Sequence, residues 1–237
     1  MENQITLVFC SKEKDNIESF VKHLTETCGC PMSIMSIHNP DGLPLAKIYH
    51  DIVESENVKT NIIVFIHDDV EFLKSGWGLE VLRLFNQHKD YGIIGVAGSA
   101  QFDENGAWWN YEKKFGQVLH RSEGKSWLTA FSPLLKEDLQ EVAVIDGLFM
   151  AIDKTKIGAN FDETFEGFDH YDTSMCLANV IAHKCKIGVT TNIRMAHNSV
   201  GALKDSWFKN KEILNEKFGK YYPIDILDEK WKKRFLL

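Results

Sequence analysis

Residues 61–69 read Asn61-Ile62-Ile63-Val64-Phe65-Ile66-His67-Asp68-Asp69, and the fold turns on this stretch. Asn61–Ile66 is β-branched and aromatic and nearly free of polar interruption, the pattern of a parallel strand buried on both faces. His67, Asp68 and Asp69 follow at its end. Adjacent carboxylates there are costly to bury unless a cation or hydrogen-bond donors compensate them. Two readings stand: a polar turn in which Asp69 caps the next segment, or ligands for a divalent cation that bridges to phosphate oxygens.

The flanking sequence alternates in the same way. Ile5–Cys10 is a short strand-like run, and Ile17, Phe20, Val21 and Leu24 then mark one face of an amphipathic helix. Met32–Ile37 reads as a second strand and Leu43–Glu54 as a second helix; beyond the central strand come a helix over Trp77–Asn86 and a strand over Tyr91–Ala97. This β-α-β-α-β-α-β order predicts an α/β, Rossmann-like, mostly parallel sheet flanked by helices, with ligands at the carboxyl ends of its strands.

After the fourth strand the rhythm breaks. Residues 101–140 carry Gly106, Gly116 and Gly124 among aromatic and polar residues, and they read as an irregular insert of loops and short strands. Regular patterning resumes in the apolar run Glu141–Asp153. A helix over Tyr171–His183, a strand over Lys186–Ile193 and an amphipathic helix over Asp205–Phe218 follow, the last opening a C-terminal helical tail, 205–237. No repeat or low-complexity linker divides the chain, so 1–237 is read as one domain.

Hydrophobic residues make up 44% of the chain and charged residues 26%, the balance of a globular protein with ample material for a core. A formal charge of −7 argues against a nucleic-acid-binding surface. It also means that an anionic substrate must be held by a local device, such as a metal or a helix N-terminus. The five cysteines follow no metal-binding spacing and read as free thiols of a reducing compartment. With no run of about 18 apolar residues, a cytoplasmic location is expected.

Other residues carry chemistry in two senses each. Asp146-Gly147 interrupts the Glu141–Asp153 run, and glycine inside a strand often marks a close approach of backbone or ligand. Asp172 falls in the first turn of its helix, either as an acid favoured by the helix dipole or as a general base. His197 follows a strand, as a structural imidazole or a Mn²⁺-compatible ligand. Trp108, Trp109 and Tyr111 lie in the insert, where they either stack on a sugar or lipid carrier or form a small satellite core.

In order, Phe65-Ile66-His67-Asp68-Asp69-Val70, Asp146-Gly147-Leu148-Phe149-Met150, Phe161-Asp162-Glu163, Tyr171-Asp172 and His197 resemble the GT-A glycosyltransferases of family 2 type, particularly small bacterial members. The resemblance spans roughly residues 5–200. It implies that the acidic turn holds Mn²⁺ or Mg²⁺ on a sugar-nucleotide diphosphate through Asp69, with Asp68 beside it and His67 and His197 as further ligands. It implies Asp172 as the base, Asp146, Gly147, Trp108 and Trp109 on the acceptor side, and Asn39 and Asp41 near the nucleoside of a UDP- or GDP-sugar. The acceptor would be a glycan or a lipid-linked glycan. Two departures stand out: His67 replaces the first acid of a D-x-D turn, and Tyr171 replaces the acid before the base. No Q-x-x-R-W segment of processive members is present, which favours transfer of a single sugar, and one base with one displacement implies inversion.

Two other readings remain open on the residues alone: a phosphohydrolase using His67, Asp68, Asp69, His170 and His197, and a non-catalytic nucleotide-sugar-binding protein. The tail Lys230-Trp231-Lys232-Lys233-Arg234-Phe235-Leu236-Leu237 is basic and apolar together. It suits either peripheral contact with an anionic membrane or a helix end packed on the domain.

Overall fold

The structure, a computed structural model, describes residues 4–12, 17–132, 135, 137–199 and 201–236. Its first half follows the sequence periods: β1 (Ile5–Ser11), α1 (Ile17–Cys28), β2 (Met32–His38), α2 (Leu45–Glu54) and β3 (Ile62–Ile66). α2 starts later than Leu43 because Pro44 holds its N-cap position, while the Leu43 N–H goes to Oδ1 of Asn39. The Leu45 N–H, an orphan donor of the first turn, is taken by the Gly167 carbonyl at 2.9 Å.

Next come β4 (Val70–Phe72), α3 (Trp77–Gln87), β5 (Tyr91–Gly95), β6 (Ala97–Ser99) and β7 (Gln101–Phe102). The insert contains the hairpin β8 (Lys114–Ser122) and β9 (Lys125–Ala130). The apolar run 141–153 resolves into β10 (Gln140–Val142), β11 (Val144–Ile145) and β12 (Phe149–Asp153). The chain ends with α4 (Tyr171–His183), β13 (Lys186–Val189), β14 (Met195–His197), α5 (Asp205–Phe218), β15 (Ile224–Asp225) and α6 (Glu229–Phe235).

The main sheet has the order β10-β13-β5-β12-β3-β1-β2. β1 runs parallel to β2 and β3, and β13 parallel to β5, whereas β12 is antiparallel to both its neighbours and β10 is an antiparallel edge. The sheet is therefore mixed. β3 and β5 point the same way, as expected, but β12 lies between them. Every residue of β12 is buried, so its backbone needs a partner strand on each side.

A second sheet, β11-β6-β8-β14-β4 with β9 on β8, stands beside the carboxyl end of β3. Two expected strands turn out to be split between the sheets. Tyr91–Ala97 breaks after Gly95, where the Val96 carbonyl turns to the N–H of Gln117. Lys186–Ile193 leaves the main sheet after Val189, and the chain re-enters regular structure as β14, paired with β4 and β8. That change of sheet carries His197 from the far side of the domain to the end of β3.

Beneath the site lies an aromatic cluster. Tyr49 of α2 packs on Phe65 at 4.4 Å between ring centroids, and on Phe161 and Tyr171 at 5.5 Å each. These rings are almost wholly buried, each contributing about 1.5–3 kcal/mol by leaving water. They lock α2, β3 and the start of α4 together, which fixes the height of the site above the sheet.

The tail is not wholly helical, since β15 pairs with β7 inside it. In α6, Trp231 is buried, donates Nε1–H to the Tyr221 carbonyl at 2.9 Å, and packs beside Phe235. The apolar side of the tail is thus turned to the domain, and Lys230, Lys233 and Arg234 remain exposed. Leu237 lies outside the described residues. Among the described residues no helix is long and apolar enough to cross a membrane.

Candidate active site

β3 ends at Ile66, and its neighbour β12 begins at Phe149 directly opposite. The turn before β12 therefore faces the turn after β3, and the His67 N–H binds the Leu148 carbonyl at 3.2 Å. Asp69 begins the return into β4. Its carbonyl accepts the Asn198 N–H at 2.9 Å, so the β4–β14 pairing sets Asp69 beside His197.

The side chains converge accordingly. Nε2 of His197 lies 3.2 Å from Oδ1 of Asp69 and 3.5 Å from Nδ1 of His67. His67, Asp69 and His197 each offer one ligand atom, all within 4.8 Å of one another. The two facing ring nitrogens can share at most one proton along that line. A divalent cation, with two imidazoles and a carboxylate around it, satisfies all three, so the donor set fits a metal. Asp68 is exposed, and neither it nor His170 is among the converging ligands, so the set assumed for a hydrolase does not assemble among the described residues.

Burial, the largest influence on Asp69, raises its pKa, but the bond and charge of His197, with Ser199 and His67, bring it down to about 2. His197 is disfavoured as a cation by burial, yet Asp69 and Asp146 hold its pKa above the ordinary histidine value. His67 goes the other way: burial outweighs the carboxylates around it and keeps the ring neutral. A neutral imidazole is the form that binds a metal.

A chain of bonds leads from this group to Asp172. Nε2 of His67 lies 3.3 Å from the Tyr171 hydroxyl, which donates to the Gly147 carbonyl at 3.3 Å. The Gly147 N–H donates in turn to Oδ2 of Asp172 at 2.7 Å, and the Thr173 N–H binds Oδ1 at 2.7 Å. Burial raises the Asp172 pKa first, the nearby Asp146 charge adds to it, and the backbone N–H donors oppose them, leaving it at about 7. The carboxylate partner that Asp172 lacks in sequence is thus supplied in space by Asp146. Tyr171, a departure from the family pattern in sequence, is the bridge between the two halves of the site.

Two cavities meet at His67. One, of about 560 Å³, opens over the carboxyl end of β1 and is lined by Lys12, Asn39, Asp68 and Asp69. The other, of about 550 Å³, is lined by His120, Asp146, Asp172 and His197, with Trp108 and Trp109 on its far wall. Asn39 is buried, and both ends of its amide close the 39–43 loop through the backbone of Leu43. Asp41 is exposed on that loop and lines neither cavity. His120, which sequence reasoning missed, lies 6.0 Å from the His197 ring and stacks on Trp127. It is part of an ordinary strand, and only the pairing of β8 with β14 reveals it.

The profile of a family described as "Glycosyltransferase like family" matches residues 5–220. The chain belongs to that family. GalNAc-T7, solved with UDP, GalNAc and Mn²⁺, superposes with a TM-score of 0.55 at 7% identity, over 93% of this chain and 49% of that one. The catalytic domain of Drosophila β1,4-galactosyltransferase 7, solved with xylobiose, gives 0.52 at 9% identity, over 89% and 80%. At such identities the likeness is one of fold, and it establishes a GT-A-like architecture for this family member. No curated protein matches the sequence significantly. Family membership suggests a glycosyltransferase.

Proposed function

We propose that this protein transfers a single sugar from a nucleotide-sugar donor to an acceptor hydroxyl, with inversion. The observation that carries the reading is the shared cavity: Asp172, with a pKa near 7, lines it together with His67 and His197, two members of the group that Asp69 completes from the neighbouring cavity. A base titrating near neutral pH combines availability with proton-accepting strength. In this reading a UDP- or GDP-sugar occupies the β1-side cavity near Asn39 and Asp68, and the acceptor occupies the cavity of Asp146, Gly147, Trp108 and Trp109.

A bound divalent metal would supply charge neutralisation to the departing diphosphate. Asp69, His197 and His67 would hold it, and their nitrogen content favours Mn²⁺ over Mg²⁺, which prefers oxygen shells. The chain's own part is positional. Asp172 takes the proton of the attacking hydroxyl, Asp146 keeps that carboxylate basic, and Tyr171 ties Gly147 to His67. One base on one face of the anomeric carbon gives one displacement, hence inversion. The acceptor is a glycan or a lipid-linked glycan; Lys230, Lys233 and Arg234 on the exposed side of α6 would suit an anionic membrane carrying the latter.

Asp172→Asn tests the assignment. It is expected to reduce transfer about 100-fold or more, the scale of a lost general base, with donor binding retained. Near-normal transfer by this variant would remove Asp172 from the role.

A further inference from the structure

The two cavities of the site share a short common wall. Five residues line both: His67, Phe168, Asp169, Gly201 and Ala202. With the nucleotide in one cavity and the acceptor in the other, the sugar that passes between them lies against this wall. His67 belongs to the converging metal ligands, and Phe168, Gly201 and Ala202 bring no polar side-chain atom. Asp169 is the polar side chain left to address the sugar.

Asp169 is half-buried and firmly placed. Its Oδ2 accepts the Ser206 hydroxyl at 2.5 Å, and its backbone carbonyl accepts Nδ2–H of the buried Asn210 at 2.8 Å. The next residue, His170, packs its ring on Trp207 at 4.9 Å between centroids. Ser206, Trp207 and Asn210 all belong to α5, so that helix fixes the residue from one side. From the other side the Gly167 carbonyl accepts the Leu45 N–H at the start of α2. A side chain locked in this way is preorganised for a ligand.

The anchor leaves most of the carboxylate unused. Two oxygens offer about four lone-pair sites, and Ser206 takes one of them. Among the described residues no lysine, arginine or histidine pairs with Asp169. Lys12 and Lys204 line the nucleotide cavity alone, where phosphates would engage them, and the acceptor cavity adds the carboxylates of Asp146 and Asp172. The shared wall thus offers hydrogen-bond acceptors and no cation to a sugar lying on it. Such a wall favours hydroxyls, because a bond to a carboxylate is about twice as strong as a neutral one. It disfavours a second carboxylate, since like charges brought together are costly.

We infer that Asp169 selects the sugar donor: it accepts a hydroxyl of a neutral sugar and turns away a uronic acid. The inference rests on the transferase reading and narrows its donor class.

The test is calorimetric titration of the whole protein, with Mn²⁺, by paired sugar nucleotides that differ only at C6. The pairs are UDP-glucose and UDP-glucuronate, UDP-galactose and UDP-galacturonate, and GDP-mannose and GDP-mannuronate. In at least one pair the neutral member is expected to bind about tenfold or more tighter than the uronate, a modest share of the cost of juxtaposed like charges. Asp169→Asn keeps the shape and an oxygen for Ser206, and it is expected to shrink the gap to about threefold or less. Free UDP and GDP, titrated beside them, report the nucleotide cavity without the sugar. Uronates binding as tightly as their neutral partners, or a gap unchanged in Asp169→Asn, would overturn the inference. So would loss of free-diphosphate binding in Asp169→Asn, which would make the residue a support of α5. If the unmodified protein binds UDP or GDP but does not discriminate within the pairs, the selection is wrong and the transferase reading stands. If it binds no nucleotide or sugar nucleotide, both fall.

Discussion

The backbone N–H of Gly147 points at the carboxylate of Asp172, 2.7 Å from Oδ2, while the Gly147 carbonyl accepts the hydroxyl of Tyr171. A single residue without a side chain thus holds both neighbours of the first turn of α4. A Cβ at position 147 would lie 2.3 Å from the Tyr171 hydroxyl oxygen, 2.7 Å from its ring and 3.0 Å from Oδ2 of Asp172. Gly147→Ala is therefore expected to lower stability by about 1–3 kcal/mol, the usual cost of overpacking, and to lower transfer further by displacing the carboxylate. Gly219→Ala, where a Cβ meets nothing within 4 Å, is the matched control and should leave the melting temperature unchanged. Thermal unfolding of both variants checks the pair.

The pH profile follows from Asp172. Its carboxyl titrates near 7, so kcat/KM should rise with unit slope as pH increases toward 7 and level off above it. A pH–rate series from 5 to 9 measures this. A profile flat through that range would assign the base to a different group.

Stability should carry the opposite signature at the same residue. The folded state keeps the Asp172 proton to about 7, whereas an ordinary Asp releases it near 3.8. Between those values the native state binds the extra proton, so Asp172 costs stability as pH rises through the window. The melting temperature of Asp172→Asn minus that of the unmodified protein is expected to grow from pH 4 to 7. Asp69, held near 2, works the other way: its contribution is complete above the ordinary carboxyl range and is lost as pH falls toward 2.

Metal affinity should follow the converging ligands. Removing one donor by Asp69→Ala or His197→Ala is expected to weaken Mn²⁺ binding by at least the 10–100-fold (on the order of) cost of losing an outer-shell group. Asp68→Ala, an exposed carboxylate outside the group, should change it much less. Electron paramagnetic resonance of free Mn²⁺ in a titration distinguishes the variants.

Much of this architecture was legible in the residues. The continuous apolar run to Ile66 marks a central strand, and the i, i+3, i+4, i+7 face of Ile17–Leu24 marks α1, because burial imposes those periods. What the residues could not convey is adjacency. Phe149–Asp153 is apolar whichever neighbours it has, and its antiparallel place between β3 and β5 depends on how the insert returns to the sheet. The sequence reading placed Asp172 and His197 on separate elements. Only the crossing of the chain to the second sheet at β14 sets His197 against Asp69. Asp146 resembled an acceptor-side residue in sequence; its charge on Asp172 is a property of the folded chain. Trp207 left no signal at all, and His170 stood out only in a hydrolase set that does not assemble among the described residues.

The central claim, a metal-dependent nucleotide-sugar site at His67, Asp69 and His197, is tested most directly by a thermal-shift screen of UDP- and GDP-sugars with and without Mn²⁺. A ligand at 100 times its Kd stabilises the native state by about 2.7 kcal/mol. The account predicts that at least one sugar nucleotide raises the melting temperature with Mn²⁺ present, and that the rise disappears without metal or in Asp69→Ala. A rise that is undiminished without metal and in Asp69→Ala, or none with any sugar nucleotide, would contradict it.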